Sequence, residues 1–411
     1  MEVTGQPVIE PTRISHVDGE NFSGRSAYLQ SLIKSADDES SRLPSGVMVG
    51  SMTASYISGL APTVADEIAL HISGINGDYE HRLRQLLSDF SFERHSRENP
   101  FNLSGGEQAL LIIICALLLE PKQLAIDTTL EQLNSTWRTP LLAALSDPVF
   151  YATNISIADN RFAEYSLKAR TYRPHRHTTA GDENFSSIIC PPDIPSATVA
   201  KNLVLDNLSF GYTKKQPLLQ GMSYEFEAGS IYHISGMNGA GKSTFSKVLA
   251  GVLRPSSGNI YMGNSLYHAY RFPGKAVGYS FQNPDEQLFS NTIREEIIPK
   301  ALLKANKNTA FAERVMSAFG LSRLAHKHPS EMPFVIRKRI ALAATIANER
   351  EWYIFDEPTI GQDQRNIAET AKLIKLLAQN GKGIILVSHS EQFIASFEHV
   401  KTVALKNGGI N

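Results

Sequence analysis

The chain has 411 residues, enough for two or three ordinary domains. Its 40 basic and 41 acidic residues nearly cancel, to a net charge of −1, whereas a dedicated nucleic-acid binder carries a basic surplus. A hydrophobic content of 42% with 20% charged residues is typical of a folded protein and excludes a disordered chain. Two cysteines, Cys115 and Cys190, are too few for a disulfide framework or a four-cysteine metal site, and they favour a reducing compartment.

The apolar runs are too short for a membrane-spanning helix. The longest, residues 109–119, has 11 residues, whereas a helix that crosses the hydrocarbon needs about 20. We therefore predict a buried helix there. The first residues, MEVTGQP, have neither the basic nor the apolar segment of a signal peptide, so none is predicted.

The sequence contains a long internal repeat. Three landmarks recur in the same order, the first at an offset of 217 positions and the other two at an offset of 229. Chance similarity rarely preserves both order and offset, so we predict two related domains. The matching pairs are residues 14–26 with 231–243, residues 63–68 with 292–297, and Asp127 with Asp356.

We place the first domain at residues 1–170 and the second at 201–411. Residues 171–200 are rich in proline and polar residues without an apolar period, which is typical of a linker. Short apolar runs that favour strands alternate with helical stretches, and this order predicts an α/β fold with a mostly parallel sheet. In the second domain the predicted strands are 230–234, 352–355 and 383–387, and the predicted helices are 243–253 and 367–379.

A phosphate-binding loop is predicted at residues 236–243, which read GMNGAGKS and follow a predicted strand. Glycines let backbone N–H groups approach phosphate oxygens, and the following helix adds a favourable dipole. Lys242 would neutralise the β- and γ-phosphates, and Ser243 would ligate Mg²⁺. The predicted nucleotide-binding residues of this segment are Gly236, Asn238, Gly239, Gly241, Lys242, Ser243 and Thr244.

Two further predicted strands end in polar residues. Asp356 and Glu357 follow the strand at 352–355, where the first would lie near the Mg²⁺ and the second could act as general base on water. His389 follows the strand at 383–387 and could hydrogen-bond the γ-phosphate. For His389 considered alone, a purely structural role is the more common alternative.

These residues resemble the motifs of an ATP-binding-cassette (ABC) ATPase. LSGGEQ at 103–108 matches the signature motif of that family, FQNP at 281–284 its Q-loop and GQD at 361–363 its D-loop. The resemblance implies two P-loop NTPase domains in one α/β chain, with ATP and Mg²⁺ as cofactors. It also implies catalytic and metal-ligand roles for Gln282, adenine stacking for Tyr212, and nucleotide contacts by the signature residues Ser104, Gly105, Gly106 and Glu107.

The motifs are divided unequally between the two domains. In this family each ATP site combines the phosphate loop of one cassette with the signature of the other. The second domain has the intact loop, and the first has the intact signature, so the resemblance implies one complete composite site. The first domain is shortened at its N-terminus and degenerate. The other composite site, which would combine the loop of the first domain with the signature of the second, has substitutions in both parts: Arg25 for the loop lysine, Thr53 for the Q-loop glutamine, Thr128 for the glutamate, and Pro333, Phe334 and Val335 in the signature.

Residues 281–297 resemble the Q-loop and acidic helix of energy-coupling-factor and cobalt-type importer ATPases. The resemblance implies an ATP-hydrolysing subunit on the inner face of the cell membrane, with integral membrane transport subunits as partners and no nucleic acid. Paired domains within one chain imply a monomeric ATPase part. The alternatives are a soluble ABC ATPase that acts on a macromolecule, and a regulator that binds nucleotide without hydrolysis. We interpret the basic run Arg337–Arg339 as a solvated helix face.

Overall fold

The structure is a computed structural model in which the chain forms two compact units, residues 1–181 and 182–411. It describes residues 13–19, 25–36, 45–50, 57–72, 84, 87–90, 92–103, 105–133, 135–146, 153–165, 167–174, 200–213, 217–237, 239–298, 309–406 and 408–410. The predicted residues Ser104 and Asn238, together with Thr53, Cys190 and linker residues 175–199, lie outside these ranges.

The first unit is a five-stranded parallel sheet flanked by helices. Its strands have the spatial order β2-β3-β4-β1-β5, and every neighbouring pair is parallel. The elements are β1 (Ile14–Val17), α1 (Arg25–Ala36), β2 (Gly46–Val49), α2 (Val64–Ile72), α3 (Gly105–Leu118), β3 (Gln123–Asp127), α4 (Ser135–Leu145), β4 (Asn154–Ala158) and β5 (Arg170–Tyr172).

Helix α3 contains most of the long apolar run. Its residues from Gly106 to Leu118 are buried except Gln108, which confirms the predicted buried helix. None of the described helices has the length and hydrophobicity that a bilayer crossing demands. Strand β5 places Thr171 and Tyr172, the first residues of the predicted linker, in the sheet of the first unit.

The second unit contains two sheets. A four-stranded antiparallel sheet has the order β10-β9-β6-β7, and a six-stranded sheet has the order β11-β12-β13-β8-β14-β15. The strands are β6 (Leu203–Phe210), β7 (Leu219–Phe226), β8 (Ile231–Ser235), β9 (Ser257–Met262), β10 (Ser265–Leu266), β11 (Val277–Ser280), β12 (Trp352–Asp356), β13 (Gly383–Val387), β14 (Lys401–Lys406) and β15 (Gly409–Ile410). The helices are α5 (Lys242–Leu249), α6 (Ile293–Ile297), α7 (Ala310–Ala318), α8 (Phe334–Ala347), α9 (Gln364–Gln379) and α10 (Glu391–Ala395).

The five parallel strands of each unit have the same order when the strands are matched by the sequence repeat. Strands β2-β3-β4-β1-β5 of the first unit correspond to β11-β12-β13-β8-β14 of the second. An antiparallel sheet is present in the second unit but not among the described residues of the first. Parallel strands have their carboxyl ends at the same edge of a sheet. In the first unit the loop after β1 therefore lies at the same edge as the ends of β3 and β4, and in the second unit the loop after β8 lies at the same edge as the ends of β12 and β13.

The predicted strands and helices of the second unit are confirmed, but the two helices differ from the prediction in their bounds. Helix α9 begins at Gln364, three residues before the predicted start. Helix α5 ends at Leu249, four residues before the predicted end. Gly251 follows it with φ of 80°, and a Cβ at this position would lie 2.2 Å from the carbonyl oxygen of Ala269. The chain therefore turns away where only glycine avoids a clash with a neighbouring backbone.

Candidate nucleotide-binding site

The loop between β8 and α5 has the backbone that a phosphate-binding loop needs. Gly236 has φ of 150°, and a Cβ there would lie 2.7 Å from the carbonyl oxygen of Leu405, so a larger residue would displace the loop. Gly241 adopts a left-handed conformation, with φ of 92°, immediately before the helix. The first N–H groups of α5 lack helical partners and are available to an anion at the helix N-terminus.

Lys242 is the only positively charged side chain in the first turn of α5 and belongs to the same loop. Its Nζ donates hydrogen bonds to the carbonyl oxygens of Gly236, at 2.8 Å, and Met237, at 3.2 Å. Burial lowers the pKa of the ammonium, while the nearby carboxylates of Glu357 and Asp356 act in the opposite direction. The ammonium is therefore held beside the loop, where it can meet a phosphate.

Asp356 ends strand β12 and is almost completely buried. The hydroxyl of Tyr279 donates to its Oδ2 at 2.8 Å, and Ser243 also hydrogen-bonds the carboxylate. Burial raises the pKa of Asp356, and these two hydrogen bonds oppose that shift. The hydroxyl at the start of helix α5 thus meets the carboxylate at the end of β12, as expected for two groups that share a cation.

Glu357 follows β12 in a left-handed backbone conformation, with φ of 47°, which is strained for a residue with a side chain. Its Oε2 accepts a hydrogen bond from Oγ of Ser388 at 3.4 Å, and Nε2 of His389 lies 3.9 Å from Oε1. Burial, and then the charge of Asp356, raise the pKa of Glu357 to about 7. A carboxylate with this pKa can exchange a proton near neutral pH, which is a property of a general base.

The two carboxylates fit a bound cation. Oδ1 of Asp356 and Oε1 of Glu357 are buried and have no hydrogen-bond partner among the residues described. Buried polar atoms without partners are rare in native proteins, and a bound ion or water is a common reason for them. Mg²⁺ is usually held by one or two carboxylates together with nucleotide phosphates, so Asp356 could hold it with Ser243, and Gln282 stays a predicted ligand. When bound, Mg²⁺ would neutralise charge on the phosphates.

The remaining predicted residues of the second unit lie around this edge of the sheet. The Tyr212 side chain is 68% exposed, and its hydroxyl lies 3.2 Å from Oγ1 of Thr244 in helix α5. Exposure leaves the ring available for stacking. Gln282 is half-buried just after β11. Gly239 has φ of 77° with open space around it.

The signature residues belong to the first unit. Gly105 and Gly106 form the first turn of α3, and the side chain of Glu107 is buried. Nε2 of His95 lies 3.2 Å from Oε1 of Glu107. The backbone N–H groups of this helix N-terminus are of the kind that bind anions.

The interpretation of Arg337–Arg339 as a solvated face is wrong. Arg337, Lys338 and Arg339 are all buried in helix α8. Arg337 pairs with Asp285, Lys338 donates to backbone carbonyl groups, and the Asp363 carboxylate interacts with Arg339. A run of three cations resembles a solvent-exposed stripe in sequence, whereas here partners from other segments compensate the burial of each charge.

Three residues near the carboxylates were missed by sequence reasoning: Tyr279, Ser388 and Lys338. Tyr279 lies on strand β11, which was not predicted, and Ser388 follows the predicted strand at 383–387; neither residue belongs to a motif. Lys338 gave a signal, because three consecutive cations in a helix whose other residues are mostly apolar invite the question of their partners.

The matching edge of the first unit is arranged differently. NH2 of Arg25, at the position of Lys242, donates to Oδ1 of Asn160 at 2.9 Å. The backbone and side-chain N–H groups of Asn160, which occupies the position of His389, both donate to Oε1 of Glu131 at 2.9 Å. A hydrogen-bonded chain therefore joins the helix start to the end of β4.

Two features of the second unit nevertheless recur there. Oγ of Ser26 donates to Oδ2 of Asp127 at 2.5 Å, as Ser243 does to Asp356. Thr128 has φ of 55°, close to the 47° of Glu357. Its hydroxyl donates to the carbonyl oxygen of Asp127 at 2.8 Å, and a hydroxyl is no base at neutral pH.

The glycine loop at the amino end of a helix, beside parallel strands that end in acids, defines the P-loop class of nucleotide-binding folds. A family model described as "ABC transporter" matches residues 219–360. The energy-coupling factor transporter ATP-binding protein EcfA1 of Thermotoga maritima is 30% identical over 212 residues, which are 51% of this chain and 80% of that protein. The chain belongs to the ABC transporter family of ATP-binding proteins.

Other relatives differ in the share of the chain that they match. A "Putative ABC transporter ATP-binding protein" of Treponema denticola is 25% identical over 360 residues, 81% of this chain and 72% of that protein. The solved structure of cbiO1 from Clostridium perfringens, part of the ABC transporter complex cbiONQ, is 25% identical with a TM-score of 0.43 and covers 52% of this chain and 87% of its own. The chain spans 36% to 47% of the length of three further relatives that are 30% identical.

Proposed function

We propose that the protein is the ATP-hydrolysing subunit of an energy-coupling-factor-like importer, with one catalytic site on its second unit. The observation that carries the proposal is the pair Asp356 and Glu357, whose buried oxygens without partners lie at the same sheet edge as Lys242. ATP with Mg²⁺ would bind to the loop and to Asp356. Glu357 would accept a proton from the attacking water, and His389 would orient the groups around it.

The first unit, in this proposal, is a degenerate cassette that supplies the signature to the site of the second. Its sheet has the strand order of the second unit, and it retains the Ser26–Asp127 hydrogen bond. It lacks the general base, because Thr128 replaces the glutamate. Ser104, Gly105 and Gly106 would donate hydrogen bonds to the γ-phosphate of ATP, and Glu107 would support that turn.

We predict one bound nucleotide per chain. Arg25 is already hydrogen-bonded to Asn160, and Asn160 to Glu131, so a phosphate that binds Arg25 would have to break these hydrogen bonds. Lys242→Ala should weaken ATP binding by about 10- to 100-fold, because a charge-assisted hydrogen bond is lost. Arg25→Ala is the matched control and should leave the affinity of that single site unchanged. Titration calorimetry with a non-hydrolysable ATP analogue measures both; a second site in the wild-type chain, lost in Arg25→Ala, would contradict the prediction.

In each unit, one exposed apolar side chain at a matching position of the repeat suggests a docking surface for a membrane partner. Leu60 is 82% exposed and Phe289 is 86% exposed, and they are 229 residues apart. A buried glutamate holds each loop: Oε2 of Glu296 accepts the N–H groups of Phe289 and Ser290, and Glu67 accepts the N–H and hydroxyl of Ser58. Large apolar side chains that a loop keeps in solvent are available to a partner.

The importer class is tested by purifying the tagged protein from membranes of its native host in mild detergent. We expect an integral membrane protein in stoichiometric amount, and Phe289→Asp should reduce its recovery several-fold because a charge replaces an apolar contact. Phe272→Asp, on another exposed aromatic residue of the same unit, is the matched control. Recovery of ribosomal or DNA-bound partners, or of none, would exclude the importer and leave a soluble ATPase or a regulator.

A further inference from the structure

We propose that Lys338 is a positioning residue for ATP hydrolysis, which ties the backbone around Gln282 to the backbone before Glu357. The proposal rests on the proposed function. It assigns a role to a buried cation that none of the predicted motifs includes. A single ammonium group on helix α8 connects two separate segments, one after β11 and the other at the end of β12.

The ammonium group of Lys338 hydrogen-bonds three backbone carbonyl groups. Nζ of Lys338 donates to the carbonyl oxygens of Phe281 at 2.7 Å, Gln282 at 2.9 Å and Asp356 at 3.2 Å. An ammonium has three N–H donors, so all of them are used. The side chain is completely buried. Burial of a cation is costly unless its donors are satisfied, so the lysine and the three carbonyl groups hold each other in place.

The three acceptors belong to the peptide groups that orient the proposed catalytic side chains. The carbonyl groups of Phe281 and Gln282 flank the residue whose side chain is expected to reach the metal. The Asp356 carbonyl belongs to the peptide that leads into Glu357, whose backbone is held in a left-handed conformation. Fixing these peptides on one point fixes where Gln282 and Glu357 lie relative to each other, and rates depend steeply on such placement.

Other contacts already attach helix α8 to the segment that follows Gln282. Arg337 pairs with Asp285 at 2.8 Å, and Nε2 of Gln287 donates to the Ala341 carbonyl and to Oγ1 of Thr345, both at 3.0 Å. Removal of Lys338 therefore leaves the helix attached to this segment. The loss should be confined to the peptides that the ammonium contacts.

The first unit provides an internal comparison. Ala109 lies at the position of Lys338 in the repeat, and the same unit has Thr128 for the glutamate and Thr53 for the glutamine. The lysine thus occurs in the unit that keeps both side chains whose backbones it contacts. In the unit without them, a methyl group takes its place. A cation needed only to complete a helix would have no reason to follow this division.

The experiment compares Lys338→Met, Lys338→Gln and Lys372→Met in the full chain. Methionine keeps length and removes the donors, whereas glutamine keeps two N–H donors on a neutral group. Lys372 is an exposed lysine paired with Glu369 and is the matched control for lysine-to-methionine replacement. Lys338→Met should lower kcat by about 10- to 100-fold, as loss of a supporting contact typically does, with less than about threefold change in ATP-analogue affinity. Lys338→Gln should recover part of kcat.

Amide hydrogen exchange of the nucleotide-free protein provides a readout that does not depend on activity. In Lys338→Met we expect faster exchange confined to peptides around Gln282 and Glu357, with wild-type exchange in the rest of the unit and in Lys372→Met. Unchanged kcat with unchanged exchange would overturn the proposal. So would faster exchange across the whole unit with no recovery by glutamine, because that pattern belongs to a residue needed only for folding. A wild-type chain that hydrolyses no ATP would refute the proposed function, while the exchange comparison would still test the backbone connection.

Discussion

Replacement of Glu357 by glutamine is expected to lower the rate of ATP hydrolysis by about 100- to 10,000-fold, the contribution of a positioned general base. The amide keeps the size of the side chain and its contact with Ser388, but it cannot accept the proton of the attacking water. Phosphate release measures the rate. The affinity for ATP should stay within about threefold of wild type, because Lys242 and Asp356 are unchanged.

The pH dependence of the wild-type enzyme should reflect the same group. Burial and the Asp356 charge raise the pKa of Glu357 to about 7, and the base is active only when ionised. Below this pH the carboxyl is protonated, so kcat/KM should fall as the pH falls through about 7 and level off above it. In Glu357→Gln the remaining activity should not show this dependence.

The first unit supplies the control for the glutamate. Thr128 has the same position in the repeat and a similar backbone conformation. Thr128→Glu in the Glu357→Gln background should restore little activity, since Arg25 and Asn160 already bond to each other beside it. Wild-type turnover in Glu357→Gln would show that another group is the base. Full rescue by Thr128→Glu would show that the first unit contains a competent site.

Replacement of Gly106 by aspartate is expected to lower turnover by about 100- to 1,000-fold, because it adds a negative charge where the signature is proposed to stabilise developing negative charge. The new carboxylate would repel the γ-phosphate that the signature is proposed to bind. An acidic residue in the first turn of a helix is favourable, but Gly106 is buried, so the added charge also has a burial cost that can lower stability. The rate of phosphate release and the melting temperature of the variant separate the two effects.

Val335→Asp is the matched control for Gly106→Asp. Val335 lies in the first turn of α8, at the equivalent position 229 residues later, and is half-buried. Because that signature is degenerate, we expect turnover within about threefold of wild type. Equal losses in both variants would contradict the division into one complete and one degenerate site, and wild-type turnover in Gly106→Asp would remove the first unit from catalysis.

The local sequence was sufficient for the strands, the loop and the end of β12. Glycines that permit the left-handed backbone, a lysine at the helix start and paired acids after an apolar run form one contiguous pattern each, so neighbours along the chain determine them. The repeat also predicted corresponding positions, such as Thr128 for Glu357, and both adopt a left-handed backbone. The end of α5 could not be predicted from the local sequence, because the requirement for Gly251 comes from its close approach to Ala269, a residue of another segment.

Only the tertiary structure decided which charged groups are buried and which partners they contact. The sequence predicted a solvated helix face for Arg337, Lys338 and Arg339, but all three are buried. The sequence of a helix does not show which of its cations contact a carboxylate or a carbonyl group from a distant segment, as Arg337 contacts Asp285. The raised pKa of Glu357 likewise depends on burial and on the distance to Asp356, Lys242 and Lys338. The sequence alone determined which chemical groups are present and which segments carry them. Folding decided which of these groups lose water and which meet, and those two changes set their reactivity.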